Sequence, residues 1–336
     1  MAALTTTTGA QHAAILGVGA YRPLRVVPNS DVVDAIDSSD EWIQQRSGIK
    51  TRRWAGPDES VQMMSVEASR IAIERAGLEP GQIDCVVVAT VSHLLQTPAV
   101  ATAIAHELGT DAAAFDISAA CSGFCHGIAL ASDIVRAGTS RYVLVVGVER
   151  LTDILDLTDR GTAFIFADGA GAAVVGPSET AGIGPVVWGS DGEQFDLIRQ
   201  REDWRDVVGS PEKPGSGVMP HLTMQGNPVF RWASFAMAKI GQQALDAAGV
   251  TLDDLDVFVP HQANMRIIDA MARSMKLPPT VRIARDVADQ GNTSAASVPL
   301  ALDRMMAEGE ARSGDTALLI AFGAGLSYAA QVVTVP

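Results

Sequence analysis

The sequence predicts an α/β protein made of two duplicated halves packed about a pseudo-two-fold axis, and three observations carry that expectation. The segment Ala76-Gly77-Leu78-Glu79-Pro80-Gly81-Gln82-Ile83-Asp84-Cys85-Val86-Val87-Val88 reads like Ala248-Gly249-Val250-Thr251-Leu252-Asp253-Asp254-Leu255-Asp256-Val257-Phe258-Val259, half a chain later. Each copy runs from a helix end through a glycine cap and a polar turn into a buried strand. Helical periodicity precedes each copy, over residues 65–75 and 237–247. Each copy is followed, with a short insertion, by a matching series: Phe115-Asp116-Ile117, a helix over 130–138 and a strand over 142–147 in the first; Arg285-Asp286-Val287, a helix over 300–306 and a strand over 316–322 in the second.

Taken in order, residues 1–11 form a loose Thr- and Ala-rich tail with neither the positive nor the apolar region of a secretory signal. Residues 12–180 make the first half and 181–336 the second. The longest apolar run, 317–330, is broken by Gly323, Gly325, Ser327 and Tyr328, so it predicts two buried strands and a tight turn, not a membrane span. The Gly-, Pro- and Ser-rich segment 209–217 reads as a mobile cover.

With 47% hydrophobic and 19% charged residues, the 336-residue chain is suited to a large core and not to disorder. A net charge of −14 argues against nucleic acid as a partner. Cys85, Cys121 and Cys125 show neither metal-type spacing nor a disulfide framework, which predicts a reduced, cytoplasmic protein without a metal. Two basic stretches stand out. Arg46, Lys50, Arg52 and Arg53 lie together without an acid, and Arg266, Arg273, Lys276, Arg282 and Arg285 face only Asp269 and, just beyond, Asp286. Each is either a solvated face or a docking patch for an anionic partner.

Cys121 lies in Ala119-Ala120-Cys121-Ser122-Gly123-Phe124, between an apolar strand and a helix over 127–137. A helix start favours negative charge, so the expectation is a thiol with a lowered pKa, fit for acyl transfer. The segment alone suits a small core residue equally well. The duplication places Asn292, in Gly291-Asn292-Thr293-Ser294, at the equivalent start in the second half, and the strand ending at Val259 delivers His261 to the same rim. A lone His or a Gly-Asn turn is often structural. Their convergence at related positions of a duplicated fold favours one site.

These residues, with Ser39-Asp40-Glu41-Trp42-Ile43, Ser47-Gly48-Ile49, Phe166-Ala167-Asp168-Gly169-Ala170-Gly171, Val259-Pro260-His261-Gln262-Ala263-Asn264 and Gly291-Asn292-Thr293-Ser294-Ala295-Ala296-Ser297, resemble the β-ketoacyl-acyl carrier protein synthase III family of the thiolase superfamily. Leu95-Gln96-Thr97-Pro98 and Phe230-Arg231-Trp232-Ala233 resemble its actinobacterial branch most. The resemblance spans nearly the whole chain. It implies a thiolase-like fold of two βαβαβαββ halves, a homodimer, and condensation of an acyl-CoA with malonyl-acyl carrier protein that initiates fatty acid biosynthesis. A pathway-specific ketosynthase or acyltransferase of natural-product biosynthesis is the alternative. Cys121, His261 and Asn292 take the catalytic roles, with backbone N–H groups of Cys121 and Ala324 as oxyanion donors. Trp42, Arg46 and Arg160 match the CoA contacts, CoA thioester being a substrate and no cofactor being needed. Gln262, Arg266 and Arg273 are the expected carrier-protein docking residues, and Leu95, Gln96 and Thr97, with Leu94, the expected acyl-pocket residues at the dimer interface. Cys125 is not part of the family motif and is expected one helical turn deeper in the core.

Overall fold

A computed structural model describes residues 4–211 and 213–336. Two five-stranded mixed sheets share one connectivity. In spatial order the first has His12–Tyr21, Asp168–Ser178, Val143–Arg150, Cys85–Ala89 and Ala113–Ile117. The second has Val187–Ser190, Ser327–Thr334, Thr316–Gly323, Val257–Pro260 and Arg282–Ile283. In each, the middle strand is parallel to its neighbour on one side and antiparallel to the strand on the other. The apolar run from 317 is thus two antiparallel strands joined by a tight turn, as its glycines predict.

Strand alternation turns these sheets into a five-layer stack. Successive side chains on a strand point to opposite faces. Cys85, Val87, Val143 and Val145 face the central layer, while Val86, Val88, Leu144 and Val146 face outward. The second sheet repeats this, with Val257, Val259, Leu319 and Ala321 inward and Phe258, Leu318, Ile320 and Phe322 outward. Two helices, Gly123–Ala137 and Ser297–Ala307, fill the layer between the sheets through Phe124, Ile128, Val298 and Leu302. Helices Val61–Arg75 and Val100–Leu108 cover the outside of the first sheet. Helices Gly226–Ala248 and Met265–Met275 cover the second. Cys125 is fully buried in the central layer, the place expected for it.

The repeat seen in sequence is the join between an outer helix and a sheet. Helices Val61–Arg75 and Gly226–Ala248 end beside glycines in the left-handed region (Gly77, φ 68°; Gly249, φ 68°), pass through single 3-10 turns, and enter strands Cys85–Ala89 and Val257–Pro260. The match weakens next. Ala113–Ile117 is a full strand, whereas its counterpart is only Arg282–Ile283, and Asp286 precedes the short helix Val287–Gln290. Asp116 instead accepts hydrogen bonds from the N–H groups of Val100 and Ala101, at 2.8 and 2.9 Å, and so caps an outer helix.

The N-terminal tail is more ordered than its composition predicts. The Thr7 hydroxyl donates to the Ala137 carbonyl at 2.7 Å and the Ala10 N–H to Val135 at 3.3 Å, tying the tail to the end of a central helix. Residues 1–3 lie outside the described residues. In the 209–217 segment, where 212 is also outside them, the Ser216 and Gly217 N–H groups donate to Asp206 and Val207. Among the described residues, no helix is long and apolar enough to cross a membrane.

Candidate active site

The nucleophile turn is built from small residues because three elements meet there. Ala120 takes a left-handed φ of 46° and opens the turn Ala120–Ser122, which leads into the central helix Gly123–Ala137. A Cβ on Gly123 would lie 2.7 Å from the Ala89 side chain. A Cβ on Gly323 would lie 2.5 Å from the Cys121 nitrogen, which places the turn after strand Thr316–Gly323 directly against the nucleophile. The second half repeats the geometry: Ser294, φ 48°, opens the turn Ser294–Ala296 into helix Ser297–Ala307. This corrects the sequence expectation about equivalence. Cys121 matches Ala295, and Asn292 lies three residues earlier, on the approach to the turn.

Asn292 is held from both sides. Its N–H donates to Ile165 and its carbonyl accepts from Ala167, both at 2.9 Å, which gives the motif starting at Phe166 a structural role. Its Oδ1 accepts the Ser294 N–H at 2.9 Å, leaving Nδ2 as the amide's free donor end. His261 follows strand Val257–Pro260, and its N–H donates to Ile320 at 2.7 Å. Its Nδ1 lies 2.7 Å from the Ser297 hydroxyl, which also accepts the Gln262 N–H at 3.3 Å. With Ser297 donating to Nδ1, the hydrogen of the neutral ring sits on Nε2.

Cys121, His261 and Asn292 line one cavity of about 280 Å³, with Ser294, Ala324 and an apolar wall that includes Leu151, Ile154, Phe166, Val229 and Phe322. Burial sets the protonation states. It holds His261 neutral, with a pKa lowered to about 3. It also pushes the Cys121 thiol up to about 12; a hydrogen bond with Ser294 opposes this, and the charge of Glu149 adds to it. The expected lowering by the helix start is therefore overturned: desolvation of the anion outweighs the helix N-terminus, and the resting nucleophile is a thiol.

A second cavity, also about 280 Å³, shares Met224 with the first and is lined by Trp42, Arg46, Arg160, Phe164, Phe230 and Arg266. Ser39 caps helix Asp40–Ser47 by accepting the Trp42 N–H, and the Asn264 amide donates to the Arg46 carbonyl at 3.0 Å, fixing this helix against Met265–Met275. The Arg160 and Arg46 guanidinium groups lie 4.8 and 5.6 Å from the Trp42 ring centre. Arg266 packs over Phe230 at 4.9 Å. It thus lines the same cavity as the expected CoA contacts.

The structure also locates the remaining expected residues. Gln262 is only 1% exposed: its amide donates to Pro260 and Ala284 and its Oε1 accepts from Val287, so it holds the site's backbone and presents nothing to a partner. Arg52 is fully buried and bonds Asn29, and Arg282 and Arg285 are paired with Asp315 and Asp269 at 2.9 and 2.8 Å. Arg266 and Arg273 remain exposed on helix Met265–Met275. Leu95, Gln96 and Thr97 do not line the cavity of this chain; they are exposed, as is Leu94. Sequence reasoning missed Ser294, Ser297 and Glu149. The serines stand in the quoted motif after Asn292, and Glu149 is an acid ending an apolar strand, a signal that was available.

Two like halves of this connectivity, with a thiol, an imidazole and a carboxamide converging on one apolar cavity, define a thiolase-like condensing-enzyme class. Comparisons with known proteins narrow it. The family described as 3-oxoacyl-[acyl-carrier-protein] synthase III matches residues 115–192, and its C-terminal family matches 245–335. The chain is 59% identical to β-ketoacyl-[acyl-carrier-protein] synthase III 1 of Streptomyces coelicolor, over all of both chains. It is 55% identical to the mycobacterial synthase III of Mycobacterium avium, over 100% of this chain and 99% of that one. The solved priming β-ketosynthase of the R1128 polyketide pathway superimposes with a TM-score of 0.94 at 50% identity, covering 99% and 98% of the two chains. The chain belongs to the β-ketoacyl-[acyl-carrier-protein] synthase III family.

Proposed function

We propose that this enzyme loads an acyl group from acyl-CoA onto Cys121 and condenses it with malonyl-acyl carrier protein, giving 3-oxoacyl-acyl carrier protein, CoA and carbon dioxide. The observation that carries the reading is the convergence of Cys121, His261 and Asn292 on one apolar cavity, beside a second cavity lined by Trp42, Arg46 and Arg160. Cys121 attacks the thioester carbonyl, and its proton leaves with the CoA sulfur as a thiol. Backbone N–H groups of Cys121 and Ala324 serve the tetrahedral oxyanion. In the second half-reaction the malonyl thioester loses carbon dioxide and its oxygen gains enolate charge. His261, neutral and with its hydrogen on Nε2 when Ser297 donates to Nδ1, and the Nδ2 of Asn292 would supply two donors for it. The enolate carbon then attacks the acyl-Cys121 carbonyl, the carbon–sulfur bond breaks, and the released Cys121 thiolate takes a proton from solvent to become a thiol again. One thiol serves both substrates in turn, so the kinetics are ping-pong.

Adenine would stack at Trp42, with Arg46 and Arg160 meeting phosphates. Arg266 and Arg273 would meet the acidic carrier protein, and Leu95, Gln96 and Thr97 would complete the partner's acyl pocket in a homodimer. The enzyme would work in the cytoplasm. A dedicated natural-product role is the second reading, supported by the R1128 neighbour; the synthase III relatives at 55–59% identity favour initiation of fatty acid synthesis. The test is mass spectrometry after incubation with acyl-CoA. One adduct on Cys121, absent in Cys121→Ser, is expected, and an adduct on Cys85 or Cys125 would overturn the assignment.

A further inference from the structure

Glu149, at the end of strand Val143–Arg150, is fully buried beside the nucleophile, and no cation pairs with it among the described residues. Four donors surround it. Oε2 accepts from the Ser92 hydroxyl at 2.6 Å, the Val91 N–H at 3.1 Å and the Thr90 hydroxyl at 3.3 Å. Oε1 accepts from the Ser294 hydroxyl at 3.2 Å. The Ser92 and Thr90 hydroxyls themselves accept backbone N–H groups, from Arg150 and Ser92, so their protons point to the carboxylate. An unpaired buried charge is costly, and here hydrogen-bond donors alone offset it.

Of the four donors, only Ser294 and Val91 also line the cavity that holds Cys121, and Ser294 alone of them offers a side-chain proton there. A hydroxyl has one proton to give. We propose that Glu149 is a positioning residue for the nucleophile: by engaging the Ser294 proton it withholds that proton from the Cys121 sulfur and keeps the nucleophile a resting thiol until a thioester binds. The carboxyl is itself pushed up to about 7 by burial, so Glu149 takes up a proton near neutrality and releases Ser294. The titratable groups facing this cluster are Cys121, across Ser294, and His261, in the same cavity; Arg150 turns to Asp153 at 3.2 Å.

The inference rests on Cys121 being the nucleophile. Its test is the pH profile of Cys121 alkylation by iodoacetamide in the full-length protein without substrate, read by mass spectrometry. Glu149→Gln keeps the shape and removes the charge, and is expected to alkylate about tenfold faster at pH 8, the equivalent of one pKa unit. Ser294→Ala removes the relay and, because Glu149 already holds that proton at pH 8, is expected to alkylate at about the wild-type rate. In the double variant the Glu149→Gln gain is expected to disappear, since the relay is gone. Should Glu149→Gln misfold, Ser92→Ala carries the same expectation: with one donor lost the carboxylate is less stable, Ser294 is freed, and alkylation at neutral pH quickens. An unchanged or slower profile in Glu149→Gln, or in Ser92→Ala where that variant replaces it, would overturn the inference, as would a gain that persists without Ser294. The acyl adduct separates the two failures. If it forms on Cys121 while the profile stays unchanged, only the role of Glu149 falls; if it forms elsewhere, the nucleophile assignment falls.

Discussion

Gly323→Ala offers a direct test of how the second half positions the nucleophile of the first. The added Cβ would sit 2.5 Å from the Cys121 nitrogen and 3.1 Å from its Cβ. Ordinary contact begins near 3.4 Å, so one turn must retreat by about 0.9 Å, on the scale at which a misplaced reacting group costs about 10²-fold in rate. Both proposed oxyanion donors, the N–H groups of Cys121 and Ala324, flank this contact. Overpacking is expected to lower stability by roughly 1–3 kcal/mol, which leaves a folded protein to assay. Loading from acyl-CoA, followed by the burst of released CoA, is expected to fall about 10²-fold. Alkylation by iodoacetamide forms no oxyanion and is expected to stay within about threefold of wild type, since it samples only the thiol. A variant that loads acyl-CoA at the wild-type rate with a normal melt would refute the argument that this close approach aligns the oxyanion donors.

Four further outcomes follow from the site and its burial. His261→Ala and Asn292→Ala are each expected to keep the acyl adduct while condensation falls by roughly 10²–10³; equal loss of both half-reactions would show that these side chains also serve loading. Arg273→Glu is expected to raise the KM for malonyl-carrier protein alone, the effect shrinking as salt rises. Arg266→Glu is expected to impair CoA loading as well, because Arg266 shares the cavity of Trp42, Arg46 and Arg160; an unaffected CoA burst would return Arg266 to a pure docking role. Burial raises all three thiols, Cys121 and Cys125 to about 12, above the ordinary 9.0. The fold therefore retains thiol protons that the unfolded chain releases. This contribution to stability is complete below pH 9 and is lost as pH climbs toward 12. Melts between pH 7 and 10.5 are expected to show the decline, and Cys125→Ala to soften it.

Much of the architecture was legible because it is local. The paired segments at 76 and 248 announced a duplicated unit through a glycine cap, a polar turn and a strand buried along its whole length, all set by neighbours in the chain. The same local logic put Cys121 at a helix start and His261 after a strand. What stayed hidden depends on partners far away in sequence. Gln262 looked like a surface residue until Ala284 and Val287 closed over it, and Arg52 until it met Asn29 in the core. The state of Cys121 was misjudged because a helix start can be read from sequence, whereas the depth at which it is buried is decided by the second sheet, through Gly323 and Ser294. Glu149 and Ser294 lie 145 residues apart, and only the packing of one half on the other makes them neighbours. Sequence by itself determined the fold, the chemical groups and the family. The tertiary structure decided which of those groups are desolvated and paired, and so which protons they carry.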